Sequence, residues 1–276
     1  MTNLSFALRD SATMLRRDVR HSLRNLKMTV SGLLTPTITL LLFVYVFGGA
    51  IGAGLGNGAY INYVAPAIII MTVGSRCATT AVNLVMDMNE GIINRFRTMA
   101  ISRASVLTGQ VLGSLIRTLI SIALVIGVAL LAGFRPTTSP LAWLAALGLV
   151  ALFTFALTWM AVVFGLIGKT PAGANSLSLI FQLILPFTSS AFVRPDSMSA
   201  GVRWFSEYQP FAPVIDTLRG LLLGTSIDNS AVLAVAWCVV LALVGYLWAR
   251  AVYNRNSINL LMYLFEDTSN SFHFFE

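Results

Sequence analysis

Long unbroken apolar runs, each about the length of a bilayer crossing, leave this chain few folds to choose from. A spanning helix takes about 20 apolar residues to cross roughly 30 Å of hydrocarbon. Six segments meet that requirement in some form: Val30–Ile51, Asn62–Val85, Val106–Gly133, Leu141–Ile167, Leu177–Phe192 and Ala231–Tyr253. They do not alternate apolar with polar residues, which disfavours a membrane barrel. Charged residues make up 11% of the chain and hydrophobic ones 57%. A soluble domain carries about a quarter charged residues, so this chain has too little charge to cover a surface facing water. The expected class is an all-α, polytopic membrane protein with six transmembrane helices.

The fifth run is the weak one. It is short and contains Pro186, which removes a backbone hydrogen bond and bends or ends a helix. Behind it, residues 193–230 are too polar to span and too apolar for a free loop. Trp204, Phe205, Phe211, Val214, Ile215 and Leu218 alternate there with Glu207, Gln209, Asp216 and Arg219, and Pro210 and Pro213 interrupt the stretch. One or two short helices that dip part-way into the membrane, or cap it, are expected between spans five and six. Such backbone is tolerated only where protein covers it or a wet cavity adjoins it.

Lys and Arg set the orientation. With the amino terminus inside, the inner segments hold twelve of the eighteen basic residues and the outer ones four: Arg135, Arg194, Arg203 and Arg219. Arg76 and Arg117 lie within spans. Asp196, Glu207, Asp216 and Asp228 match the outer four. Both termini are therefore expected inside, in the cytoplasm. The formal charge of +7 reads as a topology signal, and no basic patch away from the membrane suggests a nucleic-acid partner.

Residues 1–30 form a separate unit. Leu8, Ala12, Leu15, Val19, Leu23, Leu26 and Val30 recur at steps of three or four, between Arg9, Arg16, Arg17, Arg20, Arg24 and Lys27. The spacing predicts an amphipathic interfacial helix lying on anionic headgroups, a reading compatible with a simple positive-inside anchor. No small-residue cleavage site follows the first apolar run, so the first span is expected to serve as its own insertion signal. The membrane domain covers residues 31–255. Residues 256–276 make an atypical cytoplasmic tail, acidic and rich in phenylalanine, to which no function is assigned. Cys77 and Cys238 sit in apolar runs about 160 residues apart and read as buried packing.

Enzyme signatures are missing from the sequence. It contains no GxxxxGK[ST] phosphate loop, no HExxH and no GxSxG. The spans hold no acidic residue, which removes the usual proton or sodium relay of an ion-coupled carrier. Spans one to three do not resemble four to six, as an inverted repeat would require. No catalytic residue, metal site or cofactor is expected in this chain.

The most informative segment joins spans two and three, from Asp87 to Arg103. Ile92, Phe96, Met99 and Ala100 share one helical face, Arg95 and Arg103 lie off it, and Glu90 sits near the helix start, where a negative charge meets the positive helix end. Such a half-apolar helix could insert into a groove of a soluble partner. Spacing alone favours the other reading, a surface connector resting on lipid or on neighbouring spans.

The stretch NEGIINRFRTMAISRASVLTGQVL resembles the coupling-helix region of membrane subunits of type-2 ABC exporters. Glu90 and Gly91 match the family's acidic–glycine pair, Arg95, Phe96 and Met99 its short helix, and Ser102 and Arg103 the turn that follows. Gln209 to Gly220 resembles the outer re-entrant region, with Pro210, Pro213 and an Arg219–Gly220 pair before the last span. The likeness covers roughly Leu8 to Arg255, and the coupling segment resembles in particular the daunorubicin/doxorubicin-resistance permease subgroup. Two features depart from the pattern: the turn reads Ala-Ile-Ser-Arg without the proline many relatives have, and the tail after Arg255 matches nothing in the family.

The resemblance implies a permease subunit of an ATP-driven exporter in the bacterial cytoplasmic membrane. A separate ABC ATPase subunit would bind ATP and magnesium, and a second permease copy or paralogue would complete the path. The cargo would be a hydrophobic or amphiphilic compound such as a drug, an antibiotic or a lipid. Candidate path residues are Arg76, Thr79 and Asn83 on span two, Phe181 and Gln182 on span five, and Phe43 on span one. Arg76 stands as a functional position because an intramembrane arginine is costly, or as a side chain that snorkels to the inner headgroups. A fixed positive charge suits a lipid or anionic amphiphile; a cationic compound would have to rely on the faces of Phe43, Phe181 and Trp159. The rival readings are a membrane scaffold that moves nothing and an ion-coupled carrier.

Overall fold

The computed structural model describes residues 26–51, 59–89, 103–192, 199–227 and 229–272. Among them every regular element is a helix. Helix α1 runs over Leu26–Leu42, passes through a π turn at Phe43–Phe47 and ends with Gly48–Ile51. Then come α2 (Ala59–Asn89), α3 (Arg103–Leu131) and α4 (Pro140–Gly168). Helix α5 starts as Pro171–Leu179, widens into a π turn at Ile180–Ile184 and closes with Leu185–Phe187. Two short helices follow, α6 (Ala200–Tyr208) and α7 (Phe211–Leu223), and α8 covers Ser230–Phe272.

Among the described residues four stretches are long and apolar enough to cross a membrane: Tyr60–Asn89, Gly109–Leu131, Pro140–Gly168 and Ser230–Val252. Leu34–Phe47 and Pro171–Phe187 are shorter apolar helices. The chain is thus a polytopic helical membrane protein. Helix α8 does not stop where the sequence sets a tail apart at Asn256; it stays helical to Phe272. At 1.5 Å per residue its 43 residues reach about 64 Å, roughly twice the hydrocarbon thickness.

Local sequence explains the helix ends. Ser139 caps α4 by accepting the Ala142 amide, with Pro140 at the first position, where no amide is needed. Thr170 and Pro171 do the same for α5, through the Gly173 amide at 3.1 Å. Only Lys169 and Thr170 separate α4 from α5, and Lys169 takes a positive φ of 50° to make the turn. Gly224, at φ 72°, ends α7 in the left-handed conformation. In α5, Pro186 cannot donate to the preceding turn, and the helix widens just before it and stops just after.

Helices α2 and α4 form the centre. Within the apolar windows 67% of α2 and 72% of α4 is buried, against 33% of α3 and 17% of α8. Lipid is as apolar as leucine, so helices in it associate through close packing of small residues. Three glycines mark the crossings. A Cβ on Gly165 of α4 would press on Leu84 and the Ala81 carbonyl of α2; one on Gly245 of α8 would meet Trp159 of α4 at 2.9 Å; one on Gly74 of α2 would collide with the Phe181 carbonyl in the π turn of α5.

The Pro140 end of the bundle is tied together by polar contacts. Thr137 and Thr138, in the α3–α4 connection, donate their hydroxyls to the Leu223 and Leu222 carbonyls that end α7, and the Arg135 amide donates to the Asn62 side chain of α2. Helix α7 begins elsewhere. The Phe211 ring meets Phe153 edge-on at 5.1 Å and Phe181 at 6.4 Å. Phe153 lies 13 positions into α4, about 20 Å below its start. Thus α7 starts deep between α4 and α5 and climbs to the Pro140 end. Helix α6, before it, is mostly exposed, and Trp237 of α8 donates to the Tyr208 carbonyl at 2.9 Å.

Candidate functional site

Three regions carry the candidate residues. The first is the connection between α2 and α3. Glu90, Gly91, Arg95, Phe96 and Met99 lie outside the described residues. Their flanks do not: α2 ends at Asn89 and α3 begins with Arg103. The connection therefore leaves and re-enters the bundle directly through a central helix and its neighbour.

The second region is the face between α2 and α3. Arg76 donates a short hydrogen bond through Nη2 to the Ser121 hydroxyl. One turn along α2, Thr80 shares a 2.6 Å hydrogen bond with Ser114 of α3. These two bonds fix an antiparallel register and set Arg117 level with the Arg76–Thr80 turn. The charges of Arg76 and Arg117 act on one another across the seam. Arg76 Nε is buried and has no acceptor. Among the described residues no carboxylate pairs with Arg76. Asn83, seven residues on, shares this side of α2 and is half-buried. Thr79 donates back to the Ser75 carbonyl at 3.2 Å, a local bond within its own helix.

The remaining path candidates are not at this face. Gly74, 200° around α2 from Arg76 by helical geometry, packs on the backbone of Phe181 and Gln182. Gln182 is thus on the other side of α2, with its Oε1 buried and unbonded. The Phe181 ring is buried between Phe164 at 5.5 Å and Phe211. Phe43 stacks on Phe192 at 4.3 Å, beyond the end of α5. Trp159 is buried against Tyr246 of α8. The structure therefore divides the polar and aromatic candidates over several seams rather than one path.

The third region is the polar knot at the Pro140 end. Arg219 of α7 donates to Asp216 Oδ1 at 2.7 Å and to the carbonyls of Tyr63 and Ser190 at 3.3 Å each. Its guanidinium lies 4.0 Å from the centre of the Tyr63 ring. The Tyr63 hydroxyl donates to the Ser190 carbonyl at 2.8 Å, and the Ser190 hydroxyl donates to Asp216 at 2.9 Å. Three elements are joined: α2, the turn after α5, and α7. Burial raises the Asp216 carboxyl above the ordinary aspartate value, while Arg219 and Ser190 pull it back down. Gln209, just before α7, donates to the Leu185 carbonyl at 2.8 Å, satisfying an acceptor near the end of α5. Pro210 precedes α7 and Pro213 falls in its first turn, where a missing amide costs no intrahelical bond. A Cβ on Gly220 would meet Ile227 at 2.5 Å. Glu207 pairs with Arg203 at 2.8 Å on the exposed face of α6. Among the described residues no three His, Cys, Asp or Glu side chains gather to hold a metal ion.

Sequence reasoning passed over Ser114, Ser121, Tyr63 and Ser190. A signal existed for the first two: Ser114, Thr118 and Ser121 recur at steps of four and three along an apolar helix, the period of one helix face. Tyr63 and Ser190 gave none, because each is a single polar side chain with no period to mark it and its partners lie far along the chain.

A helical membrane bundle with a buried polar seam, a polar knot at one end and a long connection at the other is the general class that emerges. The family model for the ABC-2 type transporter matches residues 10–223, and the chain belongs to that family. It is similar to the daunorubicin resistance ABC transporter permease protein DrrB1 of Streptomyces coeruleorubidus, 28% identical over 226 residues that span 81% of this chain and 79% of that protein. It is also similar to the probable doxorubicin resistance ABC transporter permease protein DrrC of Mycobacterium tuberculosis, 22% identical over 226 residues, 79% of this chain and 82% of that protein.

Proposed function

We propose that the chain is the membrane permease subunit of an ATP-driven exporter, moving a hydrophobic or amphiphilic compound out across a bacterial cytoplasmic membrane. Membership of the ABC-2 family is the observation that carries this reading. The relatives' names, which concern daunorubicin and doxorubicin resistance, support a drug or antibiotic as cargo. In this reading ATP is hydrolysed on a separate ABC ATPase subunit, and a second permease subunit, identical or paralogous, completes the path.

Six spans with both termini inside account for the helices best. Helices α1 and α5 then serve as the two short spans, and α6 and α7 form the outer re-entrant segment. Two features support that placement: α7 starts deep beside Phe153 and returns to the α3–α4 connection, and α6 exposes Trp204 and Tyr208 as an interfacial helix does. The Glu90–Arg103 connection is the proposed docking element for the ATPase. It emerges from α2 and α3, so a push on it acts on the Arg76–Ser121 and Thr80–Ser114 bonds. Nucleotide binding on the partner would bias the membrane domain between two states.

The test is reconstitution of the chain with its ATPase in vesicles. Glu90→Ala or Phe96→Ala is expected to leave insertion intact while ATP hydrolysis no longer drives export. Normal export by both variants would remove the assignment of this connection as the coupling element. Transport that persists without ATP would favour an ion-coupled carrier, and failure to associate with any ATPase would favour a scaffold.

A further inference from the structure

The far end of α8 is the part of this fold that the permease reading leaves without a role. Helix α8 starts at the Pro140 end, just after α7 gives its last carbonyls to Thr137 and Thr138. Gly245 sets it level with Trp159 of α4. Helix α4 ends at Gly168, nine residues further on, so it runs out level with residue 254 of α8. Residues 255–272 continue as helix for about 27 Å beyond the last turn that α4 can cover. No glycine or proline follows Gly245 in α8, and sharp bends that would lay a helix back on the membrane arise mostly at such residues.

The projecting turns have the pattern of a helix that packs against another element. By helical period Ile258, Leu261, Met262, Phe265 and Phe272 share one side, a stripe about 100° wide, with Glu266 at its edge. Residues 256–276 carry Glu266, Asp267 and Glu276 and no lysine or arginine, so an anionic lipid surface repels them. The stripe calls for a basic partner with an apolar side of its own.

That complement lies in the same chain. Residues 1–25, outside the described residues, combine a stripe of Leu8, Leu15, Val19 and Leu23 with five arginines against two aspartates. They join α1 at Leu26. A Cβ on Gly48, near the far end of α1, would touch Tyr60 at the start of α2, and Asn62 of α2 takes the Arg135 amide at the Pro140 end. Leu26 therefore opens on the opposite end of the bundle, where α8 projects. Helix α8 packs on α4, α4 on α2 and α2 on α1, so at most three helix spacings, about 24–30 Å, separate α1 from α8. An arm of this length in helical form reaches about 37 Å.

We propose that the arm docks on the projecting end of α8, its apolar side on Leu261 and Phe265 and its arginines on Glu266. The contact clasps the two ends of the chain on the face opposite Pro140, in competition with anionic headgroups for the same arginines. It follows from where the two ends leave the bundle and holds whether or not the chain exports anything.

The experiment uses the full chain in phosphatidylcholine vesicles, with a photoreactive phenylalanine analogue in place of Leu261. Cross-linked peptides are identified by mass spectrometry in a mixture of isotopically light and heavy chains. Cross-links are expected within residues 1–25 of the same chain. Glu266→Arg should cut their yield roughly fivefold. Adding Arg16→Glu and Arg20→Glu to that variant should restore the yield, which a misfolded chain cannot do. Phosphatidylglycerol in the vesicles should lower the wild-type yield. Cross-links confined to lipid, to residues 90–102, to a second copy of the chain or, with the ATPase present, to that subunit would overturn the proposal. So would a yield that ignores both the Glu266 reversal and the lipid charge.

Discussion

Arg219 and Arg76 are both set into apolar helix packing, and their surroundings have opposite character. Arg219 is enclosed by a carboxylate, two carbonyls and a tyrosine ring, all supplied by this chain. Arg76 has one serine hydroxyl, an idle Nε and a neighbouring positive charge. The first arrangement has its counter-charge within the chain: Asp216 and the carbonyls belong to the elements that Arg219 joins, only its Nε lacks an acceptor, and the result is a clasp between α2, α7 and the turn after α5. In the second, among the described residues, no carboxylate pairs with Arg76. A buried charge without its partner is expensive, so stability does not account for Arg76.

The contrast is sharpest in what deletion does. Arg219→Ala leaves Asp216 half-buried and unpaired, and Asp216→Ala does the same to Arg219. Either should destabilise the fold by about 2–3 kcal/mol, read as a lower midpoint in detergent unfolding. The double variant should recover part of that loss, because the uncompensated charge is gone. A fully additive double variant would mean that the clasp is not a coupled unit.

Arg76→Met should behave in the opposite way. Removing an uncompensated charge of similar volume is expected to change stability by less than about 1 kcal/mol, or to raise it, since only the bond to Ser121 is lost. Export, measured on the same preparation, should fall. A stability loss as large as that of Arg219→Ala would erase the distinction between the two arginines. The smallest effect belongs to the exposed Arg203–Glu207 pair on α6. Arg203→Ala should stay within about 0.5 kcal/mol of the wild type in the same unfolding measurement.

Much of the fold was legible because hydrophobic run length and proline are local signals. The six apolar runs each correspond to a helix, and Pro186 marks where α5 widens and stops. The interrupted segment after it resolves into two short helices, with Pro210 at the break. The outer charge balance was also readable. Two of the four matched acids, Glu207 and Asp216, are paired with Arg203 and Arg219. The grouping of the candidate site was not readable. Thr79, Asn83, Phe181 and Gln182 are all polar or aromatic positions within spans, yet Gly74 and Arg76 face different neighbours across α2. Helical period tells which residues of one helix share a side. It does not say which helix packs there.

The sequence by itself determined that this is a helical membrane protein, where its helices lie and which family it belongs to, because bilayer thickness and backbone hydrogen bonding act on each segment separately. Only the tertiary structure decided what surrounds each of the two arginines. In a linear reading Arg76 is a cation within an apolar run, and Arg219 lies three residues after Asp216 in a stretch that alternates apolar and polar residues. Much of what surrounds each comes from residues far away in the chain, Tyr63 and Ser190 for one and Ser121 and Arg117 for the other. Packing brings those groups within hydrogen-bond or Coulomb range, and electrostatic cost in a low-dielectric interior depends on that range rather than on sequence separation.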